Sequence, residues 1–237
     1  MPNIQEKTNG AHVILFDSTY FDTPEAEIFT DQFWSNQNKI IGQATGRGTT
    51  YFFKHQNGEY VLRHYLRGGL VGKILDGQYV FTGLHRTRAW KEFNLLHHMA
   101  NLGLPCPTPI AAQIKRVGLY YQADIILCKI PQAKDVFNIL LEKSISPDIW
   151  QKIGQTIAKF HQQQIYHHDL NIHNIMLDHN NKAWLIDFDK CSVKQGEKWK
   201  SANLSRLHRS FEKEQRLKNI YWSENDWLAL QTGYLEF

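Results

Sequence analysis

The chain has 237 residues, 42% hydrophobic and 13% aromatic, which excludes a disordered polymer and allows a real core in one domain or two small lobes. A net charge of +4 is unevenly spread: residues 63–91 hold six Lys/Arg against one Asp, and residues 194–218 hold eight basic against three acidic side chains. Those regions suit an anionic substrate or lipid surface as well as they suit ordinary solvated faces.

Three cysteines, Cys106, Cys128 and Cys191, are odd in number and lack metal-ligand spacing, so a reducing compartment is expected. With no apolar leader, and no apolar run near the ~20 residues of a bilayer span, the expectation is a cytoplasmic protein, at most peripheral to a membrane.

Residues 24–34 read as a short helix with Thr23 as N-cap and Pro24 at the first helical position. From Lys39 the pattern becomes β: residues 39–41, 50–54 and 59–65, with Asn57-Gly58 as a hairpin turn, predict an antiparallel meander. A helix follows from about Thr87 to Asn101, with Ala89, Phe93, Leu96 and Ala100 on one face and Gly103 as its stop. After Pro105, Pro107 and Pro109, the runs at 119–121 and 123–127 predict two further strands, giving way to helix near Pro131. Ser146 and Pro147 open an amphipathic helix lined by Ile149, Ile153, Ile157 and Phe160, and Ser223 to Leu230 read as a capped C-terminal helix.

Between these last helices lies the segment Tyr166-His167-His168-Asp169-Leu170-Asn171-Ile172-His173-Asn174, followed by Leu185-Ile186-Asp187-Phe188-Asp189. A metal-dependent phosphoryl transferase needs this order. Asp169 meets the acceptor hydroxyl, while the amide oxygen of Asn174 and the carboxylate of Asp187 hold Mg²⁺ on the nucleotide phosphates. Each residue alone has a blander reading as a cap or turn residue, but all would have to fall at this spacing by chance. His167 is read as structural, holding the loop by a hydrogen bond. Between the first two meander strands, the small Gly46 and Gly48 suit either backbone N–H groups reaching phosphates or a simple hairpin turn, since Tyr51 stands where a third loop glycine would be.

The chain resembles the protein-kinase-like fold and, more closely, the small bacterial Kdo (3-deoxy-D-manno-octulosonate) kinases of the lipopolysaccharide kinase family. The resemblance runs from about Lys39 to Lys190, through Gly46-Arg47-Gly48-Thr49, Val61-Leu62-Arg63-His64-Tyr65-Leu66-Arg67-Gly68-Gly69, Arg86-Thr87-Arg88-Ala89-Trp90-Lys91-Glu92-Phe93, Gly103-Leu104-Pro105-Cys106-Pro107, His168-Asp169-Leu170-Asn171 and the 185–189 run. It implies an α+β, bilobal fold: residues 1–128 as an N-terminal extension and nucleotide-binding lobe, residues 129–237 as a helical lobe with the catalytic loop and metal site, and a ligand cleft between them. Residues 125–130 would be the hinge that reads adenine. It further implies ATP and Mg²⁺ as cofactors and the 4-hydroxyl of a lipid-linked Kdo sugar, on a lipid A precursor, as acceptor.

Arg63 stands where the family's fold places a phosphate-binding lysine, with Glu92 as its expected partner; Lys54 and Lys73 are rivals. Asp189 replaces the usual glycine of Asp-Phe-Gly, either near a second metal or as a turn cap. The glycine-rich, basic stretch 67–88, with Arg86 and Arg88, is a candidate loop for the acceptor's anionic groups or a plain surface hairpin. Expected partners are ATP, the lipid-linked sugar and, peripherally, an anionic membrane surface on the cytoplasmic face of the inner membrane; nucleic acid is not expected. Other readings are a metal phosphohydrolase using His161, His168, Asp169 and Asp187, an inactive kinase-like binding module, or a kinase for another acceptor such as a heptose, an aminoglycoside, choline or a protein hydroxyl.

Overall fold

A computed structural model describes residues 3–45, 49–66 and 78–237. The chain divides into two compact units, Met1–His97 with Thr108–Lys129, and His98–Pro107 with Ile130–Phe237. The segment His98–Pro107 goes with the second unit although it precedes Thr108–Lys129 of the first. The carbonyl of Pro105 accepts the backbone N–H of Leu185 at 3.0 Å, a pairing that composition does not reveal.

In the first unit the strands are β1 (Ile4–Asn9), β2 (His12–Asp17), β3 (Ile40–Thr45), β4 (Thr49–His55), β5 (Gly58–His64), β6 (Tyr79–Val80), β7 (Pro109–Val117) and β8 (Tyr120–Cys128). They form an antiparallel sheet in the order β1-β2-β7-β8-β5-β4-β3, with β6 also on β8. The expected meander is β3-β4-β5, though its tight turn is Gln56-Asn57, with Gln56 at φ 49°, and Gly58 already begins β5. Glycine is required there for another reason: a Cβ at Gly58 would run into the Tyr60 ring.

The runs at 119–121 and 123–127 are one strand, β8, whose hairpin partner is β7 across Gly118 at φ 60°. Strands β1 and β2 were not expected, because β1 is polar and largely exposed, as an edge strand tolerates. The signal was there in Asn9-Gly10, a turn with Gly10 at φ 58°, before the β-rich His12–Asp17 run.

Residues 24–34 are not one helix. A 3-10 turn, Ala26–Phe29, precedes α1 (Asp31–Asn36), and Thr30, extended at φ −112°, interrupts them and caps α1 by accepting from the N–H of Phe33 at 3.3 Å. Trp34 packs flat on Phe53, 4.0 Å between ring centroids, in a core with Ile14, Phe16, Phe29, Leu62 and Ile126. Leu62 faces this core and the next residue, Arg63, reaches α2 (Arg88–Asn101), so α2 covers the opposite face of the sheet. It ends at Gly103, φ 70°, where Leu104 N–H returns to the Met99 carbonyl at 3.0 Å.

The second unit holds α3 (Val136–Leu140), α4 (Pro147–Gln162), α5 (Lys198–Lys218) and α6 (Glu224–Leu235). Short strands β9 (Lys134–Asp135), β11 (Ile175–Leu177) and β12 (Ala183–Leu185) form one small sheet, while β10 (Ile165–Tyr166) pairs with β13 (Ser192–Val193). The apolar face of α4 buries Trp150, Ile153, Ile157 and Phe160. Side chains at Gly154 or Gly233 would strike the backbone of α6 or α4, so the two glycines let these helices meet backbone to backbone. No helix among the described residues is long and apolar enough to cross a membrane.

Candidate active site

Strand β10 delivers the chain from the end of α4 into a turn centred on Asp169. The loop is fastened on both sides. Before the turn, buried His167 donates Nε2–H to the Ile186 carbonyl at 2.9 Å, and its own carbonyl accepts from Asn203 Nδ2 at 2.7 Å. Asn203 is in turn held by His161 Nε2 at 3.2 Å, whose Nδ1 lies 2.9 Å from the Tyr234 hydroxyl. After the turn, Asn171 caps a single 3-10 turn, accepting from His173 N–H at 2.8 Å, while Ile172 N–H reaches Ser210 Oγ at 3.0 Å. Burial keeps the imidazoles of His161 and His167 below their ordinary pKa, His161 at about 4, so both serve as neutral hydrogen-bonding struts.

Asn174 and Asp187 are brought to this turn by backbone pairing. Asn174 Nδ2 donates to the Asp169 carbonyl at 2.9 Å, and the Asn174 carbonyl accepts from Ile186 N–H at 3.0 Å, placing the residue before Asp187 against it. Because the amide nitrogen is spent on the loop, the amide oxygen is the donor Asn174 offers a cation. Asp187 takes φ 62°, a left-handed turn uncommon outside glycine, two residues after the end of β12. Phe188, buried against Phe160 at 5.7 Å and His167 at 5.0 Å, anchors that turn. Asn174 and Asp187 thus offer a neutral and an anionic oxygen, hard donors that suit Mg²⁺ rather than a soft metal.

The carboxylate of Asp169 faces an arginine that sequence reading did not single out. Arg206 on α5 contacts Asp169 Oδ1 through Nη2 and, at 3.2 Å, through Nε. Partial burial raises the pKa of Asp169, but the hydrogen bond and charge of Arg206, with smaller help from Asn171, outweigh it and hold the carboxyl below its ordinary value. The only available signal was membership of the basic span 194–218, in which Arg206 lies 37 residues from its partner.

In the first unit, Arg63 on β5 pairs with Glu92 on α2, and the Tyr65 hydroxyl donates to the same carboxylate. Glu92 is only 2% exposed, so it is not a solvated helix carboxylate. The guanidinium of Arg88 stacks on Tyr65 and Tyr79, 5.3 and 4.9 Å from the ring centroids, and donates to the Tyr79 hydroxyl, which makes it part of this unit's packing rather than of a loose basic loop. Lys54 is engaged with Glu59 at 3.5 Å. Gly46, Gly48 and Lys73, with residues 67–77 of the basic stretch, lie outside the described residues.

The hydrolase-like histidine cluster does not assemble. Both ring nitrogens of His161 are bound in the interior, and among the described residues the metal-compatible grouping of His, Cys, Asp and Glu is His208, Glu212 and Glu224 instead.

The model of the lipopolysaccharide kinase (Kdo/WaaP) family matches residues 31–234. Among curated relatives, the 3-deoxy-D-manno-octulosonic acid kinase of Vibrio vulnificus (strain CMCP6) is 45% identical over 231 residues, 98% of each chain. That of Vibrio cholerae serotype O1 is 45% identical over 220 residues, 93% of this chain and 94% of that one. That of Haemophilus influenzae (strain 86-028NP) is 44% identical over 237 residues, 97% of this chain and 98% of that one. Of solved structures, the Cydia pomonella granulovirus kinase aligns over 65% of this chain and 52% of its own, with 15% identity and a TM-score of 0.45.

Proposed function

The chain belongs to the lipopolysaccharide kinase (Kdo/WaaP) family, and from that membership and the loop geometry we propose that it phosphorylates the 4-hydroxyl of a Kdo residue on a lipid A precursor, Kdo-lipid IVA. The enzyme is an ATP-dependent phosphotransferase acting on a hydroxyl, a Kdo kinase. The observation that carries the residue assignment is the tie between the three site residues: Asn174 is bonded through its side chain to the Asp169 carbonyl and through its backbone to Ile186.

In this reading Asp169 orients the sugar hydroxyl and takes its proton as the new O–P bond forms in line and the β,γ-bridging P–O bond breaks, releasing ADP without a phosphoenzyme. Arg206 offsets the effect of partial burial and keeps the Asp169 carboxyl ionised. Asn174 and Asp187 would hold Mg²⁺, which neutralises charge on the phosphates. Arg63 contacts the phosphates, with Glu92 and Tyr65 fixing its guanidinium.

A lipid-linked acceptor requires approach to the cytoplasmic face of the inner membrane. The basic side chains of α5 support peripheral contact with its anionic lipids. The deciding experiment offers labelled ATP with Kdo-lipid IVA, an aminoglycoside and a generic protein. Label on the Kdo lipid alone, at the 4-position, is the expected result; label on either of the others replaces the acceptor.

A further inference from the structure

We propose that Arg206 recognises the carboxylate of the acid-sugar acceptor and thereby determines specificity beside the catalytic base. The inference rests on the reading above, in which Asp169 is that base and Kdo the acceptor.

A sugar acid brings a second carboxylate to the neighbourhood of Asp169, and two like charges there repel unless a cation lies between them. Arg206 supplies one. Its Nε and Nη2 both address a single oxygen, Asp169 Oδ1, so only one edge of the guanidinium is used. Guanidinium carries five N–H donors, and the edge formed by the two terminal nitrogens matches a planar carboxylate in bidentate fashion. The side chain is 49% exposed, so Arg206 is open to solvent rather than sealed in the interior.

The position of Arg206 is fixed by its helix. One turn before it, Asn203 holds the His167 carbonyl; one turn after it, Ser210 accepts the Ile172 N–H. Buried Leu207 seats the helix between them. An exposed ion pair contributes little to stability by itself, so stability gives no reason for an arginine here, whereas carboxylate recognition does.

The test compares two acceptors, the natural Kdo lipid and its C1 carboxamide, with wild-type enzyme, Arg206→Gln and Arg206→Lys, each checked for an unchanged thermal melt. On the natural acceptor Arg206→Gln should lose roughly 10- to 100-fold in kcat/KM, mainly through acceptor KM, the worth of a charge-assisted pair. On the carboxamide its loss should be at least several-fold smaller, the KM for ATP should hold, and Arg206→Lys should recover part of the defect. Equal losses on both acceptors would overturn the proposal and leave Arg206 as a positioning residue for Asp169. A raised KM for ATP with an unchanged acceptor KM would assign it to the transferred phosphate. Wild-type enzyme that labels neither Kdo acceptor refutes the acceptor assignment itself, an outcome separate from any effect of the variants.

Discussion

In the role proposed for Asp169 the loop reconciles two demands: the carboxylate must stay ionised, and it must be held still while partly buried. Arg206 meets the first and the bonds from Asn171 and Asn174 to the Asp169 carbonyl meet the second, at 3.0 and 2.9 Å. Asp169→Ala should therefore lower turnover by roughly 10² to 10⁴ with the fold intact, and near-normal single-turnover rates would remove it from the base role. Glu92 carries a different burden. Buried and shared by Arg63 and Tyr65, it cannot be neutralised without loosening both. Glu92→Gln should reduce unfolding free energy by about 1–3 kcal/mol and raise the KM for ATP more than it lowers kcat; unchanged urea midpoint and KM would show that the pair does neither. Asp169 and Asn174 were legible because they lie five residues apart in one loop, where spacing alone conveys proximity. Arg206 was not, since only the packing of α5 brings it to the loop.

Among the elements, α5 and α6 show how one helix can serve two masters. Along α5, Asn203, Arg206, Ser210 and Glu214 recur at helical spacing and meet His167, Asp169, Ile172 and His173 in the same order, so the helix grips the loop along its length. Helix α6 braces α4, which feeds the loop, through the close approach at Gly154 and Gly233. A methyl group at Gly154 has backbone on its path rather than a flexible side chain, so Gly154→Ala should cost about 1–3 kcal/mol in urea denaturation; an unchanged midpoint would mean the helices separate freely. The periodicities of α2 and α4 exposed them in the sequence because each buries an apolar stripe, whereas α6 was legible from its capping box at Ser223. The 24–34 segment misled because Pro24 and its acidic neighbours satisfy helix-start rules, while Thr30 re-caps the chain in the middle. Strand β7 hid behind its prolines and Gln113, which is buried and bonded to Asp124 at 3.0 Å.

For the whole molecule, histidine burial sets the response to acid. His161 titrates at 6.5 when unfolded but at about 4 in the folded chain, burial being the main cause. Between these values the unfolded state binds a proton that the native state refuses, so stability falls as pH falls, by about 1.4 kcal/mol per pH unit, on the order of 3 kcal/mol across the window. His64 acts in the opposite sense. Its hydrogen bond to Asp124, 2.6 Å, is the main cause that raises its pKa against the opposing effect of burial, and its contribution is present below the ordinary value and lost as pH rises through the folded one. Thermal melts from pH 7 to 4 should show a declining Tm that His161→Gln flattens; parallel curves for the two proteins would refute the assignment.

The reaction class was decided by sequence alone, because the order of Asp169, Asn174 and Asp187 is local and phosphoryl transfer tolerates few substitutes for it. Family membership was equally legible, because the motifs that carry it are contiguous runs. Tertiary structure alone decided the rest: that His98–Pro107 joins the second unit, that Glu92 is buried on Arg63, and that Arg206 sits at the Asp169 carboxylate. Each depends on contacts between segments distant in the chain, made when strands pair and helices bury their apolar faces, and local spacing does not encode which distant partner those faces select.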